Sequence, residues 1–338
     1  MDLKSTRRNG AGTSRRRLLQ GATALAAGIS SFGILKYARA ADEPMKLKFL
    51  STTSPPDPVA HPYYYAREKG FFKEQKLDVA ISEIISATNA TRVTVTGESD
   101  LTMTDPISAL QARQASAPIR ITGSFSPVCD YFIVGRKDIQ NPAQLQGRRF
   151  SVATIGGSTQ IFSRLTIEAA RGDPSKVQWA ATGSSAARAQ ALIANTFDAT
   201  IVQGSFVSKI VSYPDFHIIA DVSKVLPNML SIVEISNEHA IQTKHAEISA
   251  FVRAVSKAVL WAYDNPKEAA AVSVALLPNS PKEEITAAID AYTKRKFWSA
   301  RDRITRVAYD YTMTKLFEGG QLNRPIRYED MVTDDFML

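Results

Sequence analysis

Apolar and polar positions first alternate regularly at Met45-Lys46-Leu47-Lys48-Phe49-Leu50, the pattern of a half-buried strand. A polar, proline-rich loop follows from Ser51 to Pro58. A helical pattern then covers 59–69 and stops at Gly70. A strand over 77–85, a helix over 88–96, a strand over 100–103 and a helix over 107–114 continue the alternation. The pattern then recurs: a strand over 149–153, a helix entered through Gly156-Gly157-Ser158-Thr159 and ending at Arg171-Gly172, a strand over 177–181, a helix over 185–194 and a strand over 199–202. Strands that alternate with helices predict largely parallel sheets with helices on both faces.

The two halves align without gaps around their second helix. Ser86-Ala87-Thr88 matches Ser184-Ser185-Ala186, Gly97-Glu98-Ser99-Asp100 matches Asn195-Thr196-Phe197-Asp198, and Thr102-Met103-Thr104-Asp105 matches Thr200-Ile201-Val202-Gln203. Lys69-Gly70 echoes Arg171-Gly172. The shared punctuation is a Ser/Thr helix entrance, a helix C-cap glycine and an Asp before a short strand. Two stretches are placed to cross between lobes: 119–134, broken at Gly123-Ser124-Phe125-Ser126-Pro127, and a strand over 229–235. The expected fold is therefore α/β and two-lobed, with two doubly wound sheets joined by two crossing strands that act as a hinge. Residues 45–126 and 231–338 form lobe I, and 127–230 form lobe II. Helical patterns over 244–317 are expected to cover one lobe.

Charge changes the picture at the N-terminus. The chain has 41 basic and 33 acidic residues, a net of +8. Residues 1–40 hold eight of the basic residues and only Asp2 as an acid, so the remainder carries 33 against 32. A nucleic-acid partner is not expected of so balanced a chain. The basic stretch contains Ser14-Arg15-Arg16-Arg17-Leu18-Leu19 and precedes an apolar run and Ala38-Arg39-Ala40. It looks like a twin-arginine export leader cleaved near Ala40, which places the mature protein in the periplasm. The apolar run is interrupted by Gln20, Gly21, Gly28, Ser30, Ser31 and Gly33, which argues against retention as an anchor.

Ligands of open α/β sheets bind outside the carboxyl ends of the strands. The loops at those ends supply Ser54, His61, Tyr63, Ser86, Thr88, Asn89, Thr104 and Asp105 from the first half. Ser124 comes from the crossing, and Gly157, Ser158, Thr159, Ser184, Ser185 and Gln203 come from the second half. Together they predict a polar pocket for a small molecule, with helix entrances that favour anions. Micromolar binding needs roughly 8 kcal/mol, and one helix terminus gives an anion about 0.3–2 kcal/mol. Direct hydrogen bonds, a ring such as Tyr63 or Phe125, or a placed Arg must supply the rest. Tyr64 and Tyr65 are expected in the core, and Arg92 and Arg188 on solvated faces. Asp57, Asp105 and Asp130 read as cap and turn residues.

Catalytic sets are missing. No G-x-S-x-G, Walker, H-E-x-x-H or CxxC pattern occurs, and His61, His217, His239 and His245 lack metal-ligand spacing. No metal, no cofactor and no catalytic residue is expected. Cys129, the single cysteine, reads as a small buried apolar residue.

Residues 65–79, Tyr-Ala-Arg-Glu-Lys-Gly-Phe-Phe-Lys-Glu-Gln-Lys-Leu-Asp-Val, resemble a signature of the substrate-binding proteins of nitrate/sulfonate/taurine-type ABC importers, which include the NMT1/THI5-like proteins. Residues 141–152 and 195–199 are similar to two further elements of that group. The resemblance covers residues 45 to about 320. It implies a two-lobed periplasmic binding protein (type II) that closes on a ligand and docks, as a monomer, on an ABC permease in the inner membrane. The implied ligand is a small organic anion, sulfonate-like or an aromatic or heterocyclic compound. The alternative is a secreted enzyme on the same scaffold, desulfinase-like or pyrimidine-synthase-like, using Cys129 or His61. The first strand–helix loop has no Cys and the chain has no cysteine-rich motif, which weakens it. Presentation of ligand to a membrane sensor is not separable from import in the sequence.

Overall fold

The computed structural model describes residues 43–301 and 303–338, so the leader predicted over 1–40 lies outside the described residues. Ten strands form two five-stranded sheets. The first contains β1 (Met45–Ser51), β2 (Leu77–Glu83), β3 (Leu101–Thr104) and β4 (Ile119–Gly123); the second contains β5 (Tyr131–Arg136), β6 (Arg149–Val152), β7 (Gln178–Ala181), β8 (Ala199–Gln203) and β9 (Phe216–Asp221). The last strand, β10 (Val233–Asn237), returns to the first sheet. The orders are β2-β1-β3-β10-β4 and β7-β6-β8-β5-β9.

These orders are the same topology written twice. In each sheet the fourth strand is the one that has just crossed from the other half, and it runs antiparallel to both neighbours. The sheets are therefore mixed rather than wholly parallel. A chain that enters a sheet directly from the crossing, with no helical crossover, arrives in the opposite direction. The crossings lie side by side: Val128 bridges Leu230, and Ser231 N–H donates to the Pro127 carbonyl at 3.1 Å.

The internal repeat holds at its serine caps and at its aspartates. Ser86 Oγ accepts from Asn89 N–H at 3.2 Å, and Ser184 Oγ from Ala187 N–H at 3.2 Å. The helices behind them, Ala87–Val95 and Ser185–Ile193, end before Gly97 at φ 79° and Asn195 at φ 59°. Asp100 then accepts the Lys48 N–H at 2.8 Å and Asp198 the Arg149 N–H at 2.9 Å. Each carboxylate satisfies a strand-edge donor just where parallel pairing begins. The Gly70–Gly172 echo differs. Gly70 is left-handed at φ 76°, but in the second half Arg171 takes that conformation, at φ 63°. Gly172 is needed instead for close approach, because a Cβ there would lie 2.7 Å from the Ala143 Cα.

The core of the first lobe is aromatic. Tyr63, Tyr64 and Tyr65, on the helix His61–Glu68, are all buried together with Phe49, Phe72 and Phe251. Helices His245–Asp264, Pro266–Leu276 and Lys282–Lys294 cover this sheet. Each fully buried large apolar side chain contributes about 1.5–3 kcal/mol, so this layer dominates the lobe's stability. The helix Arg306–Glu318 departs from the expectation of covering one lobe. Its Tyr309 and Met313 share a cluster with Ile121 and Val233 of the first sheet and Phe150 and Phe162 of the second half. Thr312 Oγ1 also accepts the Leu230 N–H at 2.8 Å, next to the crossing. Among the described residues no helix is long and apolar enough to cross a membrane.

Candidate ligand-binding site

The helix entrances at the carboxyl ends of the strands divide into capped and open ones. Ser86 and Ser184 spend their hydroxyls on capping, and Asp105 accepts the Ser108 N–H at 2.8 Å. Thr88, Asn89 and Ser184 are exposed, and Ser54, Ser86, Gly157 and Ser158 are half-buried. The entrance to the helix Ser158–Ala169 is different, because Gly157 has no side chain with which to cap it. A Cβ at Gly157 would lie 2.2 Å from Thr154 Oγ1, so a larger residue there would displace the Thr154 hydroxyl. Thr159 turns inward and its Oγ1 accepts the Ala153 N–H at 2.9 Å.

Several other predicted site residues face the interior. The Tyr63 ring lies 4.5 Å from Phe49 and 6.0 Å from Phe251, and its hydroxyl donates to Glu234. His61 is buried with Nδ1 2.8 Å from Ser273 Oγ and Nε2 3.3 Å from the Pro56 carbonyl. Burial lowers its pKa to about 4, so the ring is neutral at ordinary pH. Thr104 Oγ1 pairs with Thr91 Oγ1 at 3.2 Å, and Ser124 Oγ donates to the Ile232 carbonyl at 2.7 Å. These residues brace the loops from within.

On the second-half side, the structure brings Ser185 and Gln203 together and adds a residue the sequence placed in solvent. Arg188 is only 2 % exposed. A charged residue on a helix face reads as solvated, but here the side chain turns back under the entrance. Its Nε donates to the Ile201 carbonyl at 2.7 Å, one terminal nitrogen to the Gly183 carbonyl and the other to Ser185 Oγ at 2.8 Å. Ser185 Oγ in turn donates to Gln203 Oε1 at 3.2 Å. Burial lowers the Arg188 pKa to about 10, with Tyr131 and Asp57 opposing that shift. Arg92, by contrast, is exposed as expected.

Carboxylates converge on the same region. Asp57 caps the turn Pro58–Ala60 through Val59 N–H at 3.3 Å. Desolvation raises its pKa to about 7; the Val59 N–H and Arg188 oppose the shift and Asp130 adds to it. Asp130 accepts from Tyr292, Arg295 and, at 3.1 Å, the Gly204 N–H, and burial pushes its carboxyl upward. Tyr292 and Arg295 were invisible to local sequence patterns because their partner lies more than a hundred positions away. A concavity of about 540 Å³ lined by Arg113, Ser116, Arg324, Arg327 and Asp330 lies apart from all these loops. Arg113 is paired there with Glu238 and Arg327 with Asp330, so it is an ion-pair network. No group of three His, Cys, Asp or Glu placed to hold a metal ion occurs among the described residues.

The model of the family described as NMT1/THI5 like matches residues 57–269. The chain belongs to this family. Within it, the "KGFF" element of the NMT1/THI5-like chain is a packing device: Gly70 makes the left-handed turn and Phe71 and Phe72 enter the core. A formylaminopyrimidine-binding protein of Halalkalibacterium halodurans is 26 % identical over 215 residues, covering 61 % of this chain; the match spans 63 % of that relative's own length. The fold is that of the periplasmic aliphatic sulphonate binding protein SsuA from Escherichia coli, with a TM-score of 0.71, 13 % identity and coverage of 87 % of this chain and 94 % of that one. The nitrate-binding protein NrtA from Synechocystis PCC 6803 is similar too, with a TM-score of 0.66, 15 % identity and coverage of 83 % of each chain.

Proposed function

We propose that this NMT1/THI5-like chain is the periplasmic solute-binding component of an ABC importer. It captures a small organic compound between two lobes by hinge closure and delivers it to a membrane permease. The observation that carries this reading is the doubled sheet topology, one five-stranded sheet in each half, joined by two adjacent crossings. Two lobes joined in this way rotate about a short hinge. The exposed and half-buried predicted residues, Ser54, Ser86, Thr88, Asn89, Asp105, Gly157, Ser158 and Ser184, are the proposed ligand-facing set. The uncapped entrance at Gly157 suits an acidic or strongly accepting end of the ligand. Export through the twin-arginine leader and a monomeric state belong to the same proposal.

The enzyme alternative has poor material to work with. Burial pushes the Cys129 thiol up to about 12, so its thiolate, the reactive form, is scarce. Both ring nitrogens of His61 are occupied inside the core. The test is thermal-shift and calorimetric titration of the mature protein with an alkanesulfonate, nitrate and an aminopyrimidine, with mass spectrometry of the recovered compound. We expect saturable binding of one class and its recovery unchanged. Chemical turnover, abolished by Cys129→Ala, would overturn the reading.

A further inference from the structure

The helix Lys282–Lys294 and the turn that follows it belong to the first lobe by packing. Ile285, Ile289, Tyr292, Phe297 and Trp298 sit in the same cluster as Phe49, Tyr65 and Phe251. The outer side of this arm meets the second half instead. It packs against the turn Gly204–Phe206, which follows β8. Glu284 pairs with Lys209 at 3.1 Å. Tyr292 and Arg295 both donate to Asp130, which stands just before β5 and is nearly buried. The Arg295 guanidinium lies 4.8 Å over the Tyr292 ring and 4.9 Å over Phe297, so it is held in place before it reaches its partner. Asp130 also accepts the Gly204 N–H, and a Cβ at Gly204 would lie 2.7 Å from Asp130 Oδ1. One carboxylate therefore ties the arm to two strands of the other sheet.

We infer that this arm is the closure latch: Glu284, Tyr292 and Arg295 of lobe I grip Lys209 and Asp130 of lobe II, and so set how far the lobes open and how tightly a ligand is held. The inference rests on the two-lobed binding reading above. A contact made in one conformation only shifts the population toward it, and ligand affinity follows the fraction of competent molecules. The Lys209–Glu284 pair is half-exposed, so its loss is expected to weaken binding about two- to five-fold. Loss of the charge-assisted bond to Asp130 is expected to cost about ten-fold or more.

The test measures the distance between spin labels at Arg92→Cys and Gln190→Cys, exposed and equivalent in the two halves, in a Cys129→Ala background. The mature ligand-free protein is compared with Tyr292→Phe, Lys209→Glu and the charge-exchanged pair Lys209→Glu with Glu284→Lys. We expect a longer mean distance in Tyr292→Phe and Lys209→Glu, and restoration in the exchanged pair. A general structural defect would not be restored by exchanging charges. Unchanged distance distributions, or a parent protein already as open as the variants, overturn the latch. Titration of the same proteins with the alkanesulfonate, nitrate and aminopyrimidine separates the two readings: distances that respond without any binding leave the latch and remove the solute-binding function, and binding with unresponsive distances does the reverse.

Discussion

The two halves use one backbone plan and fill it with different chemistry. At the same slot in the repeated helix, four residues past the Ser cap, the first half has Ala90 and the second has Arg188, and both are buried. Around Ala90 the first half is joined by threonine hydroxyls, with Thr94 Oγ1 donating to Thr102 Oγ1 at 2.7 Å and Thr91 paired with Thr104. Around Arg188 the second half is joined by one cation that gathers Gly183, Ser185 and Ile201. The loop after the first strand differs as well. In the first half it is closed by the cap of Asp57, and in the second it is left open by Gly157. The backbone-satisfying residues recur, whereas the buried side chains packed behind the helix entrances do not. What must be the same is what closes the strands and stops the helices.

The largest effect separating the halves is expected from Arg188→Ala. It leaves two carbonyls and a hydroxyl without their donor, at about 1–3 kcal/mol each, while relieving a buried charge of its desolvation, and we expect a net loss of about 3–5 kcal/mol in urea unfolding. Ala90→Ser at the matching slot should cost far less. A loss for Arg188→Ala under about 1 kcal/mol would break the comparison. Of intermediate size are Asp100→Ala and Asp198→Ala, which strip the same strand-edge N–H of its acceptor in each half. Each should cost about 1–3 kcal/mol, and closely similar values would sharpen the claim that they do one job.

A third effect is read as a pH dependence rather than a fixed loss and concerns Asp57, whose carboxyl is pushed by desolvation up to about 7 in the folded chain from an ordinary 3.8. The folded state holds that proton more tightly than the unfolded chain, so this group lowers stability as pH rises from about 4 to 7. Asp57→Asn removes the fall while keeping an oxygen for the Val59 N–H. The variant's melting temperature relative to the parent should rise over that window and level off above it. His61 works in the opposite direction: its pKa lies near 4 when folded, so its contribution is lost as pH falls from 6.5 toward 4. The difference between variant and parent isolates Asp57 from it, and a flat difference would remove the desolvated carboxylate from the picture.

Much of the architecture was legible because it rests on local rules. Alternation marked the strands, serine caps marked the helix starts and glycines the helix ends of the first half, and the repeat implied the shared topology; in the second half Arg171 and Asn195 take the left-handed positions instead. The strand β9 carries no clear sequence signal, because Phe216–Asp221 contains one short apolar run without alternation. The crossing strand near 229–235 lies instead at Val233–Asn237, because Leu230 is occupied by its bridge to Val128. The candidate site was less legible. Tyr63 and His61 stand beside the loop in sequence, but the helix that carries them turns both toward Phe49, Phe251 and Ser273. Asp130 reads as a turn residue in the sequence, whereas in the fold it accepts from Tyr292 and Arg295 of the C-terminal arm.

The basic character of residues 1–40, the balance of charge beyond them and the signature over 65–79 follow from the sequence alone, since each depends only on residue identity and order. The recurrence of Asp100 and Asp198 at the same step of the repeat is also read from the sequence, but the N–H groups they accept from, on Lys48 and Arg149, are brought to them only by the pairing of distant strands. Which polar residues are buried was decided only by the tertiary structure. Whether an arginine on a helix is solvated or wired under a loop depends on carbonyls that strand ends elsewhere bring to it, and Arg188 reaches Ile201 only once β8 lies beside its helix. The same holds for Asp130, whose charge-assisted partners meet it across the crossing between the two sheets.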